Sequence, residues 1–202
     1  MLFRSHPWQI NANGTGRQTQ YGIASGLNSL ASGGAIGGYS NVASGNVSAA
    51  IGGNSNTASG DRSAAIGGSD NVTSGDRSAA IGGNSNEASG DNSAAIGGYS
   101  NEASGYMSAA IGGYSNVASG NVSAAIGGYS NVASGNVSAA IGGNSNVATH
   151  IRAVIAGGQN MASVADDTLH CAKLAILSIP TSAAGLPSGM IWSDGGTLKI
   201  VP

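Results

Sequence analysis

A fifteen-residue period constrains this chain more than any single motif does. The isoleucine of IGG falls at Ile36, Ile51, Ile66, Ile81, Ile96, Ile111, Ile126 and Ile141, and an asparagine keeps step from Asn41 to Asn146. A short, strict repeat is one supersecondary unit that cannot bury its own apolar face, so neighbouring units must stack on it. Glycines divide each unit again: Gly45 to Gly52 is seven residues and Gly52 to Gly60 is eight. Each unit then holds two short strands and two turns, with Gly and Asn suited to corners that need positive φ. The 35 glycines exclude helix, because each costs about 1 kcal/mol relative to alanine. The expected fold is all-β, a parallel β-solenoid or β-roll with two short strands per 15-residue coil and coils about 4.8 Å apart.

Comparison of the repeats separates free positions from fixed ones. One variable column reads Tyr39, Asn54, Ser69, Asn84, Tyr99, Tyr114, Tyr129, Asn144, and a second runs through Asn46-Val47, Asp61-Arg62, Asp76-Arg77, Asp91-Asn92 and Tyr106-Met107. Such tolerance belongs to solvent-facing corners, whereas the near-constant AAIGG marks tight packing. Side chains alternate along a strand, so Ala49 and Ile51 share one face and Ser48 and Ala50 the other. Both faces are apolar at their centres. One can line the roll while the other meets neighbouring chains, which makes a homo-oligomer with this strand innermost the expected assembly and leaves open which face does which. Ile51, Ile66, Ile81, Ile96, Ile111, Ile126 and Ile141 are therefore candidates for the core or the oligomer strand, and SNVASG for the outward strand and corner.

The array starts irregularly at YGIASGLNSLASGG and ends irregularly at HIRAVIAGGQNMAS, where one residue is read as lost before Ala162-Ser163 and larger side chains close the stack. The expected boundaries are 21–165 for the array with its capping coil, 166–180 for a strand-like exit linker and 181–202 for a C-terminal β-hairpin tip. In that tip, Met190-Ile191-Trp192 turns at Asp194-Gly195-Gly196 into Thr197 to Val201, read as the true C-terminus. Residues 1–20 are read as an artefactual or truncated segment, because MLFRS resembles a translated sequencing adapter, and the natural chain is expected to be longer.

With 8% charged residues and a net charge of −2, no basic stripe tracks phosphates, so neither nucleic acid nor an anionic membrane is an expected partner. The single cysteine, Cys171, excludes an intramolecular disulfide and cannot form a cysteine zinc site alone. No apolar run has the length of a membrane span, and no signal-peptide pattern opens the chain, so no membrane insertion is expected from this segment.

The stretch SGNVSAAIGGYSNVASG is similar to the head repeats of YadA-like trimeric autotransporter adhesins, with their alternating S-x-A-x-G strands, and to related repeats of phage tail fibres. The likeness covers about residues 21 to 165, although the adhesin period is shorter and this chain adds a residue through its doubled glycine. It implies a left-handed parallel β-roll assembled as a trimer and serving attachment to a host surface. The closing IPTSAAGLPSGMIWSDGGTLKIVP resembles the terminal segment of tail-fibre and virion structural proteins rather than a stalk and anchor, which implies a virion over a bacterial or extracellular surface.

No catalytic, cofactor-binding or metal site is expected. No Gly-Gly pair is followed by the Lys-Ser/Thr of a phosphate loop, and a calcium ladder would need more than Asp61, Asp76 and Asp91. GLPSG is not a nucleophile elbow, and His6, His150 and His170 are isolated from one another. Arg62 and Arg77, each beside an Asp, and the stacked Glu87 and Glu102 read as solvated corners with pairing across coils. Tyr99, Tyr114 and Tyr129 form a consecutive ladder that either covers the roll edge or offers a stripe for a host receptor or glycan. The expected function is a non-enzymatic trimeric fibre segment of a phage tail fibre that presents a rigid rod and tip to a host surface. The alternatives are an adhesin head fragment and a monomeric ice-binding solenoid, the latter disfavoured because threonine recurs only at Thr57, Thr73 and Thr149 in the array.

Overall fold

The computed structural model describes residues 29–30, 34–173, 179–194 and 197–201. The expected N-terminal segment 1–20 and the start of the array lie outside these residues. The chain divides into two units, one ending at Ala172 and the other spanning Lys173–Pro202.

The first unit is a parallel β-solenoid. Its three-residue strands, such as Ala94–Ile96, Ala109–Ile111 and Ala124–Ile126, form a ten-stranded parallel sheet from Gly34–Ile36 to Leu169–Cys171. Its two-residue strands, such as Glu102–Ala103 and Val117–Ala118, form a nine-stranded sheet from Ser29–Leu30 to Val147–Ala148. Through the AAI strands each residue pairs with its repeat equivalent, as Ile96 with Ile111 and Ile111 with Ile126. A further line of single-residue parallel bridges runs from Tyr39 through Asn54, Tyr99, Tyr114 and Tyr129 to Gln159, so successive coils also join along the variable column.

Four residues per coil turn the chain in the left-handed region: in one coil these are Gly97 at φ 66°, Gly98 at 76°, Ser100 at 52° and Met107 at 53°. The in-step asparagines are not among them, contrary to the corner role read from sequence. They are buried instead, because their amides have a job inside the roll. The two glycines differ in what holds them. A Cβ on Gly97 would meet open space, whereas one on Gly98 would lie 2.3 Å from the Gly113 carbonyl oxygen of the next coil. Gly105 is as tightly confined, with Gly120 O 2.1 Å from its would-be Cβ.

The interior is narrow. Ala110 from the longer strand and Ala118 from the shorter are both fully buried, in a column of alanines that includes Ala88, Ala95, Ala103 and Ala125. Ser108, Asn116 and Gly120 complete the buried set of that coil. In the regular coils the two walls meet through methyl groups, which leaves the isoleucine of AAIGG no place between them, and this decides the question left open by the alternation. Ser48 and Ala50 line the roll, while Ala49 and Ile51 face outward. The isoleucines from Ile51 to Ile141 stay 36–43% exposed, so the strand is buried on one side only within a single chain. SNVASG also departs from its outward reading. Its Asn, Ala and Gly form the opposite inner wall, and only Val and Ser point out.

No residue is lost near Ala162. Asn144 bridges Gln159, Val147 bridges Ala162 and Val154 pairs with Leu169, so the spacing stays fifteen and the sheet continues to Cys171, beyond the expected end at 165. What changes is the occupant of each column. Ile155 enters the inner alanine column and is fully buried, as the larger closing side chains predict. Ser163 takes the place of an inner alanine, and its hydroxyl accepts the Thr149 and His150 N–H groups at 3.0 and 3.1 Å. One coil earlier the equivalent N–H groups of Ser134 and Gly135 bond to the Ala148 carbonyl.

The second unit contains the expected antiparallel hairpin. Ile191–Asp194 pairs with Thr197–Ile200 in the register Ile191 to Ile200 and Asp194 to Thr197, around a turn whose two glycines lie outside the described residues. Lys199 forms an ion pair with Asp194 and sits 5.5 Å from the centre of the Trp192 ring.

Candidate surface-binding site

The bridge column places one side chain per coil on an outward corner, because the residue after the glycine pair is fixed in register while its side chain points away from the alanine interior. At three successive rungs that side chain is tyrosine. Tyr99 and Tyr114 stack with ring centres 5.1 Å apart and planes 7° from parallel, and Tyr114 and Tyr129 with centres 4.9 Å apart at 3°. The three are 43–49% exposed. The coil repeat sets this distance, so the ladder follows from putting an aromatic at one position of successive units.

The flanking rungs carry amides. Ser85 Oγ donates to Asn84 Oδ1 at 2.8 Å, and Ser145 Oγ to Asn144 Oδ1 at 2.7 Å. Each serine hydroxyl holds the amide oxygen next to it, and among the described residues the NH₂ group has no partner. From Tyr39 to Gln159 every residue of the column is a phenol, an amide or a hydroxyl.

The other corner is chemically different. Asp61 Oδ1 accepts the Asn46 N–H at 3.1 Å, and Asp76 and Asp91 accept those of Asp61 and Asp76 at 3.1 and 3.0 Å. These carboxylates tie coil to coil through the backbone rather than pairing with Arg62 or Arg77 as the sequence suggested. Among the described residues the ion pairs are Arg152–Asp167, at the equivalent corner near the end of the stack, and Lys199–Asp194. The Arg152 hydrogen bonds hold the Asp167 carboxyl below the ordinary carboxylate range, and Asp167 raises Arg152 in return. Glu87 and Glu102 pair in register on the shorter strands.

His150 and Ser163 form a contact that sequence reasoning missed, with Nδ1 2.9 Å from Oγ. The serine oxygen already accepts two backbone N–H groups, so its own proton is left to donate, with His150 Nδ1 at 2.9 Å and Thr149 Oγ1 at 3.3 Å as the acceptors in reach. His170 stands apart, 2.8 Å from Thr168 Oγ1. No group of three or more His, Cys, Asp or Glu suited to a metal occurs among the described residues. The three array threonines share no column: Thr57 faces outward, Thr73 is fully buried and Thr149 is exposed at a turn.

The isoleucine candidates form a column of their own in the ten-stranded sheet, apart from the bridge column that carries the tyrosines. The outward Ala49 and Ile51 columns contain no charged residue from Gly34 to Ala156. Column against column, the chain is an all-β parallel solenoid with an apolar stripe on one sheet and a neutral polar ladder on one corner. No protein-family model matches the sequence, and no curated protein matches it either.

Proposed function

We propose that the chain is a non-enzymatic fibre segment, a trimer of β-rolls resembling those of tail fibres and YadA-like adhesin heads, that holds binding groups out from a virion towards a host surface. The exposed isoleucine column carries this reading. A soluble chain rarely leaves a long, uncharged aliphatic stripe uncovered, and two further copies of the same chain supply an equally long stripe in the same register. The stack then brings three identical sets of corner groups to one surface, so weak contacts add through effective concentration rather than through a single strong site.

Light scattering of the purified chain tests the assembly, with three times the chain mass expected. A variant with Ile96→Glu and Ile126→Glu should fall to the chain mass while keeping its β circular dichroism, since both side chains project outward. A wild-type chain that is monomeric at micromolar concentration overturns the trimer and the fibre reading built on it.

A further inference from the structure

The geometry of the tyrosine ladder points to a neutral, linear, β-linked hexopyranose chain as its ligand, lying along the roll axis and held edge-on, one sugar per coil. This rests on the attachment reading but not on the trimer.

Aromatic residues usually hold sugars by stacking a ring face against them. Here the faces between rungs are taken. Rings 4.9–5.1 Å apart and within 7° of parallel cover one another, so Tyr114 has neighbours on both sides. What the ladder offers outward is a row of ring edges and phenol hydroxyls, none of them with a hydrogen-bond partner among the described residues. Asn84 and Asn144 extend the row at both ends with NH₂ groups fixed by Ser85 and Ser145.

The ligand class follows from period and charge. A partner that uses successive rungs must repeat once per coil, at about 4.8 Å. An extended peptide repeats on one side every two residues, or roughly 6.7 Å, and falls out of step. A nucleic-acid strand repeats at about 3.4 Å and needs cations to neutralise its phosphates, yet the column contains none and the charge beside it is Asp70. One extended β-linked pyranose is close to the coil repeat in length; alternate sugars of such a chain are turned over, so the same edge returns every second coil, in step with the rungs, and every rung still meets an uncharged, hydroxyl-bearing edge that matches phenols and amides. Edge-on hydrogen bonding also agrees with a row of donors and acceptors unpaired among the described residues, since such groups bind best when all are satisfied together.

The test uses the intact chain and β-1,4-linked oligosaccharides of glucose and of N-acetylglucosamine, from dimer to hexamer, in calorimetry. Affinity in at least one series should rise with length until the ligand spans the rungs from Asn84 to Asn144 and then level off. The triple variant Tyr99→Phe, Tyr114→Phe, Tyr129→Phe keeps the ring stack and loses the hydroxyls, and should bind at least about tenfold more weakly. Full affinity in that variant overturns edge-on binding. No binding of either series by the wild type overturns the glycan assignment, while the mass by light scattering still reports on the trimer by itself. A lower mass for the Phe variant than for wild type makes the column a contact between copies of the chain, and also overturns the proposal.

Discussion

Asn101 shows what a single residue does in this roll. Its Oδ1 accepts the Asn116 N–H at 3.0 Å, and its Nδ2 donates to Gly97 O at 3.0 Å and to Gly113 O at 3.3 Å, so one amide ties its own turn to the coil that follows. At 1% exposure no water replaces these bonds. Asn101→Ala should lower stability by at least about 2 kcal/mol, read from the urea midpoint, because it strands a buried N–H and removes the donor to two carbonyls. The column was visible in the sequence, but its burial was not. Asparagine among Gly and Ser reads locally as a turn former, and its bonds to the next coil appear only once the units are stacked. Its constancy from Asn41 to Asn146, beside the freely varying Tyr39 column, was the available signal, and it is the same signal that identified AAIGG.

At the scale of the turn, the glycine pair separates two physical demands that look identical in sequence. Gly112 at φ 66° has open space where a Cβ would go, whereas Gly113 at 76° would press a Cβ to 2.2 Å from Gly128 O. Gly112→Ala should therefore cost about 1–2 kcal/mol, the left-handed penalty alone. Gly113→Ala should cost clearly more and weaken hydrogen-exchange protection in the coils on either side, since backbone must move. The strands and their bounding glycines were legible from spacing. The other left-handed positions were not, because Val47 and Val137, both at φ 59°, are β-branched residues that propensity never places there. Tertiary pairing of the next coil fixes that corner whatever side chain it bears.

For the whole roll, the period predicted the stack, the parallel order and the closing coil, because each follows from identical units placed on one another. The faces were not predictable, since alternation yields two apolar sides of nearly equal character. Only the closeness of the Ala110 and Ala118 walls assigns the small side inward and Ile111 outward. An array with nearest-neighbour cohesion should also be modular. Deleting residues 97–111, one full period, should leave a folded roll with the same circular dichroism per residue. Deleting 97–110 should move every downstream alanine off the inner wall and abolish cooperative melting.

The hydrogen bonds that join the AAI strands run along the stacking direction, from one coil to the next. A pull along that direction therefore loads them in series, one coil at a time, instead of sharing the force across the sheet. Each coil that peels away releases fifteen residues, or roughly 50 Å of chain. A roll anchored at one end and held at the other would yield in equal steps and dissipate a sudden load as extension, with the remaining coils still intact.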